Sequence, residues 1–181
     1  VSGTLSDDTT VSLLNDARYE VLSSDTIGSL SGSAGSTLLL SAALNTGRNN
    51  SSTVMAGIIS GDGSLTKSGS GRFTLTNDNT YDGITTIDAG TLRLGDNTGK
   101  GAISGDIVNN SLLQINRNDT ALNLGMLISG TGDFEHNGTG TTTISGANTF
   151  QGSTTVNAGI LKLGANEAIP DASLLTVDTG A

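Results

Sequence analysis

The chain has 181 residues, 34% of them apolar but only 3% aromatic, with 26 Gly, one Pro and no Cys. That apolar share supplies a core of aliphatic side chains and excludes wholesale disorder, while no run is long enough for a membrane helix. A formal net charge of −9 excludes nucleic acid and an anionic lipid surface as principal partners, because both demand clustered Lys and Arg.

Residues 1–56 read as short strands separated by turns. Val11–Leu14, Arg18–Leu22, Ile27–Leu30 and Ser36–Leu40 carry the apolar residues, with Gly, Ser, Asn and Asp between them. The stretch Asn45–Thr53 is polar and lacks bulk, which predicts a loop projecting from the fold. The chain opens on Val1 with no initiator Met and no signal peptide, so we read it as a piece of a longer protein whose targeting elements lie elsewhere.

Residues 57–125 are a first repeat copy. Arg72–Thr76 and Thr91–Leu94 alternate polar and apolar residues over four or five positions, the period of a half-buried strand. Residues 126–181 are a second, incomplete copy, in which Thr141–Ile144 alternates more weakly. Ala168–Asp171 reads as a turn and Leu174–Val177 as a last strand. Another rung is expected after Ala181, so the reading is of a stack cut at both ends, with an apolar end exposed.

The two copies are related by a constant offset of 69. Ile59-Ser-Gly-Asp-Gly63 recurs as Ile128-Ser-Gly-Thr-Gly132, Asn79-Thr-Tyr-Asp-Gly83 as Asn148-Thr-Phe-Gln-Gly152, and Ala89-Gly-Thr-Leu-Arg-Leu-Gly95 as Ala158-Gly-Ile-Leu-Lys-Leu-Gly164. Leu65, Leu75, Tyr81 and Ile87 become Phe134, Ile144, Phe150 and Val156, keeping bulk while changing shape, as core positions do. Asp62, Asp78, Asp82 and Asp88 become Thr131, Ala147, Gln151 and Asn157, which marks these acids as solvated turn residues. Strands this short, with links too short for helical crossovers, are satisfied by coiling the chain into stacked parallel rungs. Three rungs per repeat gives about 23 residues per rung and about eight rungs in all, on the order of 40 Å of stack. Leu75, Leu92, Leu94, Ile144, Leu161 and Leu163 occupy the apolar phase and are expected to point inward. Asn79 and Asn148, at equivalent corners, are expected either to take left-handed backbone or to bond neighbouring turns.

Catalytic, cofactor and metal residues are all read as absent. His136 is the single histidine, and its counterpart is Lys67, so it is assigned to a rung edge. The Gly-x-Gly pairs at Gly61/Gly63, Gly69/Gly71, Gly130/Gly132 and Gly138/Gly140 lack the third Gly and the helix of a nucleotide fingerprint, and no G-x-S-x-G elbow occurs. Asp78 and Asp82 are the nearest candidates for a glycosidase carboxylate pair, yet neither recurs in the second copy. Gly130-Thr-Gly-Asp133 falls short of the calcium-binding G-G-x-G-x-D pattern. Thr74/Thr76 and Thr141/Thr143 do not recur on every rung, as an ice-binding ladder requires.

The run Ile59-Ser-Gly-Asp-Gly-Ser-Leu-Thr-Lys-Ser-Gly-Ser-Gly71, with Phe73-Thr-Leu75, Asn79-Thr-Tyr81, Gly83, Thr85-Thr86 and Ala89-Gly-Thr-Leu-Arg-Leu-Gly95, resembles the passenger-associated transport repeat of autotransporters (type V secretion). Ile128–Gly164 matches more loosely, with Glu135-His136 in place of Thr-Lys. The resemblance implies an all-β, right-handed parallel β-helix exported through an outer-membrane β-barrel translocator to the cell surface. It further implies an adhesin or self-association stalk that engages a host-cell surface, a glycan or another copy. The alternative it leaves is the scaffold stem of a secreted protease or esterase, with a β-helical carbohydrate-active enzyme a further alternative.

Overall fold

The computed structural model describes residues 4–171 and 173–179. The chain runs through β1 (Thr10–Leu13), β2 (Arg18–Val21), β3 (Asp25–Ile27), β4 (Ser29–Gly32), β5 (Thr37–Leu40), β6 (Leu44–Thr46) and β7 (Thr53–Met55). It continues with β8 (Ile58–Gly61), β9 (Leu65–Lys67), β10 (Arg72–Leu75), β11 (Thr85–Ile87), β12 (Thr91–Thr98), β13 (Ile107–Asn109) and β14 (Leu112–Arg117). The last seven are β15 (Leu122–Leu124), β16 (Ile128–Ser129), β17 (Asp133–His136), β18 (Thr141–Ile144), β19 (Thr154–Val156), β20 (Ile160–Leu163) and β21 (Leu175–Val177). No helix occurs among the described residues.

Every pairing is parallel and joins strands about one rung apart, so the chain is a β-solenoid with three faces. The first face is a nine-stranded sheet, β1-β4-β7-β10-β12-β14-β17-β19-β21. The second carries β2-β5-β8 and, further along, β15-β18-β20; the third carries β3-β6-β9-β11-β13-β16. Nine strands on one face make about eight turns, as expected. One first-face column runs from Thr53 through Phe73, Leu92, Leu113, Phe134 and Thr154 to Leu175. It spans 122 residues in six steps, about 20 per rung.

The expected division of a repeat into three rungs of 23 is therefore corrected. Three rungs use only about 61 of the 69 residues, and the remainder is one further face. Accordingly β8 on the second face recurs as β16 on the third, β9 on the third as β17 on the first, and β10 on the first as β18 on the second. The same motif serves each face because a parallel rung offers every face the same hydrogen-bond spacing and the same apolar column to cover. Gly61 and Gly130 show that equivalence in detail, with φ of 106° and 102°. A Cβ at either would run into the carbonyl oxygen of the rung below, Leu40 or Asn109, so only Gly fits both the backbone and the space.

Two other expectations fail for identifiable reasons. Ile27–Leu30 is a corner and not one strand: β3 ends at Ile27, β4 begins at Ser29, and Gly28 turns between faces against the Asp8 carbonyl. The Asn45–Thr53 stretch does not project. Its first residues belong to β6, Asn49 donates through Nδ2 to Ser29 Oγ (3.1 Å), and Asn50 Oδ1 accepts from the Ser70 amide (2.8 Å). Short polar side chains here bond the rungs on either side, which a projecting loop cannot do.

Leu75, Leu92, Leu94 and Ile144 are fully buried as expected. Leu161 is half-buried, and Leu163 is 55% exposed. Leu163 has the inward register of Ile144 but lies in β20, the end strand of its sheet, with no described rung over it. Burying the inward aliphatics contributes about 25 cal/mol per Å² of apolar surface.

Candidate functional site

Leu65 and Lys67 are two residues apart on β9, so both face inward, and so do Phe134 and His136 on β17. Lys67 is 1% exposed. Its Nζ donates to the carbonyls of Ser68 (2.7 Å), Gly69 (2.7 Å) and Ala89 (3.0 Å), using all three ammonium protons. Burial pushes this ammonium down to about 8.

His136 is corrected from a rung-edge residue to a fully buried one. It occupies an aliphatic column, in register with Ile115 below and Val156 above. Its Nδ1 lies 2.7 Å from the Ala158 carbonyl, which can only accept, so Nδ1 carries the proton. Nε2 then accepts from Thr142 Oγ1 at 3.0 Å. Burial holds its pKa below the ordinary histidine value. Ala89 and Ala158 are one repeat apart, as are Lys67 and His136. Two unlike side chains thus close the same turn carbonyl, and the inward phase of β9 and β17 was the sequence signal for it.

Asn79 and Asn148 are buried and take the second of their expected roles. Asn79 Oδ1 accepts the Ile59 amide (2.9 Å) and its Nδ2 donates to the Ala102 carbonyl (3.1 Å). Asn148 Oδ1 accepts the Ile128 amide (2.8 Å) and its Nδ2 donates to the Ala168 carbonyl (2.7 Å). Each asparagine therefore ties three rungs, and neither has a positive φ. By taking the amide of β8 or β16 with a side chain, each also ends that strand's sheet. Beside Asn79, Tyr81 buries its ring and bonds Thr85 Oγ1 at 2.7 Å; burial raises its pKa.

Asp78 is corrected from a solvated turn acid to the centre of an ion-pair cluster. Its Oδ2 takes Lys100 Nζ at 2.9 Å, and its Oδ1 takes the Gly101 and Ala102 amides and Arg117 Nη1. Arg117 is buried and also binds Asp119 through Nε and Nη2, both at 2.9 Å. Hydrogen bonds and the two cations hold Asp78 below the usual carboxylate range against its own desolvation. A carboxylate so engaged stays ionised, which disfavours service as a general acid. Asp82 is exposed at its corner. Asp133 spends Oδ1 on the amide and hydroxyl of Ser153, both at 2.8 Å. Among the described residues no group of three or more His, Asp or Glu is placed to hold a metal ion.

The passenger-associated-transport-repeat model matches residues 65–94 and 135–163. The chain is 40% identical over 140 residues to the Adhesin BmaC autotransporter of Brucella suis biovar 1 (strain 1330), covering 59% of this chain and 4% of that protein. It thus spans a small fraction of that relative's length. No solved structure matches the chain. Its two matched transport repeats, wound into a parallel β-solenoid, make the chain similar to an autotransporter passenger.

Proposed function

We propose that this segment is the β-helical stalk of a cell-surface or secreted bacterial adhesin, delivered by the outer-membrane β-barrel translocator of its full-length protein. The reading rests chiefly on the 40% identity to a protein named an adhesin. The geometry is consistent with it. Buried polar groups of both repeats, Lys67, Asn79, His136 and Asn148, tie rungs together, and Asp78, the more engaged of the two candidate carboxylates, joins Asp119 in neutralising a buried arginine. What remains outward is a series of flat faces with Thr, Asn and Asp side chains, which can engage a host-cell surface, a glycan or a second solenoid through many weak hydrogen bonds of about 0.5–1.5 kcal/mol each. We propose further that the segment is not itself an enzyme.

The test is to immobilise the purified segment and measure cell and glycan adhesion alongside hydrolysis of peptides, esters and polysaccharides. Saturable adhesion without turnover is expected. Polysaccharide turnover that disappears in Asp78→Asn or Asp82→Asn would overturn the proposal.

A further inference from the structure

The equivalent interior positions of the two repeats answer very differently to a proton. Lys67 is already cationic at neutral pH, and three carbonyls receive its charge. His136 is neutral, and its ring reaches one carbonyl and one hydroxyl. A second ring proton on Nε2 would face Thr142 Oγ1, which now donates to that nitrogen and would have to turn its own proton away. The charge would also sit between Ile115 and Val156, without a carboxylate to receive it.

The packed elements offer no relief. The charged side chain of β14 is Arg117, committed to Asp119, Asp78 and the Gly99 carbonyl. β18 and β19 carry no charged residue. On β17 itself Glu135 and Asp133 face outward, where they accept from Gln114, Asn137 and Ser153. Lys162 of β20 is in register with Thr143, on the outward phase, and would in any case repel a second cation.

We propose that the second repeat is an acid-responsive element, in which protonation of His136 reverses its bond to Thr142, strands a charge in the core without an anionic partner, and opens β17 to β20 while the first repeat stays closed. The sign follows from linkage. The open state binds the proton near pH 6.5 and the closed state only at lower pH, so closure weakens as pH falls through that interval. Lys67 keeps one protonation state there, because it titrates near 8.

Because His136 is the single histidine, its imidazole can be followed directly by ¹⁵N NMR while hydrogen exchange is measured strand by strand. A neutral Nδ1–H tautomer is expected at pH 7. Between pH 7 and 5, protection of β17 to β20 should fall about tenfold relative to β9 to β12, the effect of one proton favouring the open state. His136→Gln should abolish that difference. An imidazole that titrates at an ordinary value with unchanged protection, or the same loss in His136→Gln, overturns the proposal. Should the Gln variant not fold, the wild-type titration and exchange still decide.

Discussion

Lys67 Nζ lies 3.0 Å from the carbonyl oxygen of Ala89, one rung on, and 69 residues later His136 Nδ1 stands 2.7 Å from the carbonyl of Ala158. The position is therefore a donor site inside the core. Lys67→Met should leave three turn carbonyls unserved and cost about 1–3 kcal/mol. The stability difference between wild type and Lys67→Met should also depend on pH. Below about 8 the lysine is protonated folded and unfolded, so the difference is flat. From there to its ordinary value near 10.5 the unfolded chain holds more protons, so the wild type gains stability as pH rises. Chemical denaturation at several pH values checks both the plateau and the rise.

Asn79→Ala and Asn148→Ala should each destabilise by about 1–3 kcal/mol, because each leaves a strand amide without an acceptor inside the stack. The two sites are more than three rungs apart, roughly 16 Å along the stack, so the double variant should show the sum within about 0.5 kcal/mol. Thermal or urea unfolding of the three variants measures it. Costs near zero would mean that water replaces the side chain.

Leu92→Ala should cost about 2–5 kcal/mol, because Leu92 is fully buried in the first-face column. Leu163→Ala should cost less than about 1 kcal/mol, because half of that side chain meets solvent. The two leucines occupy the same phase of one repeated pattern, Leu92 in the first copy and Leu163 in the second. Leu94, the counterpart of Leu163 at the offset of 69, is as fully buried as Leu92, so Leu94→Ala should also cost about 2–5 kcal/mol. Costs equal to that of Leu163→Ala would contradict the effect of a covering rung.

Asp119→Asn should destabilise by about 1–3 kcal/mol, because it removes two charge-assisted bonds from buried Arg117. Asp78→Asn should cost less, about 1 kcal/mol, because its Arg117 contact is long at 3.4 Å, its Lys100 pair is partly exposed, and an amide oxygen can still accept the Gly101 and Ala102 amides. Both carboxylates are held below their ordinary range. Their stabilisation is therefore complete above about pH 4 and is lost as pH falls further. Below about pH 4 the unfolding free energy of each variant, measured by chemical denaturation, should fall less steeply with pH than that of the wild type.

Much of this architecture is legible in the residues. The 69-residue recurrence, the two-residue alternation of Arg72–Thr76 and the corner glycines specify short parallel rungs. Those signals are local: alternation sets which side of a strand is apolar, and only Gly tolerates the backbone at Gly61 and Gly130. The same signals assign Leu92 and Leu94 to the core and mark Asn79 and Asn148 as corner residues. They also carry the resemblance to the transport repeat.

What the residues could not decide depended on neighbours a rung away. Whether Leu163 is covered depends on what stacks over β20, not on its own alternation. The burial of His136 follows from its register with Ile115 and Val156, and the engagement of Asp78 from Arg117, 39 positions along the chain. The rung length was hidden for the same reason. A repeat of three rungs and one face leaves every local motif intact while moving it to a new face. Only the inter-strand hydrogen bonds, which join residues about 20 apart, fix where a rung closes.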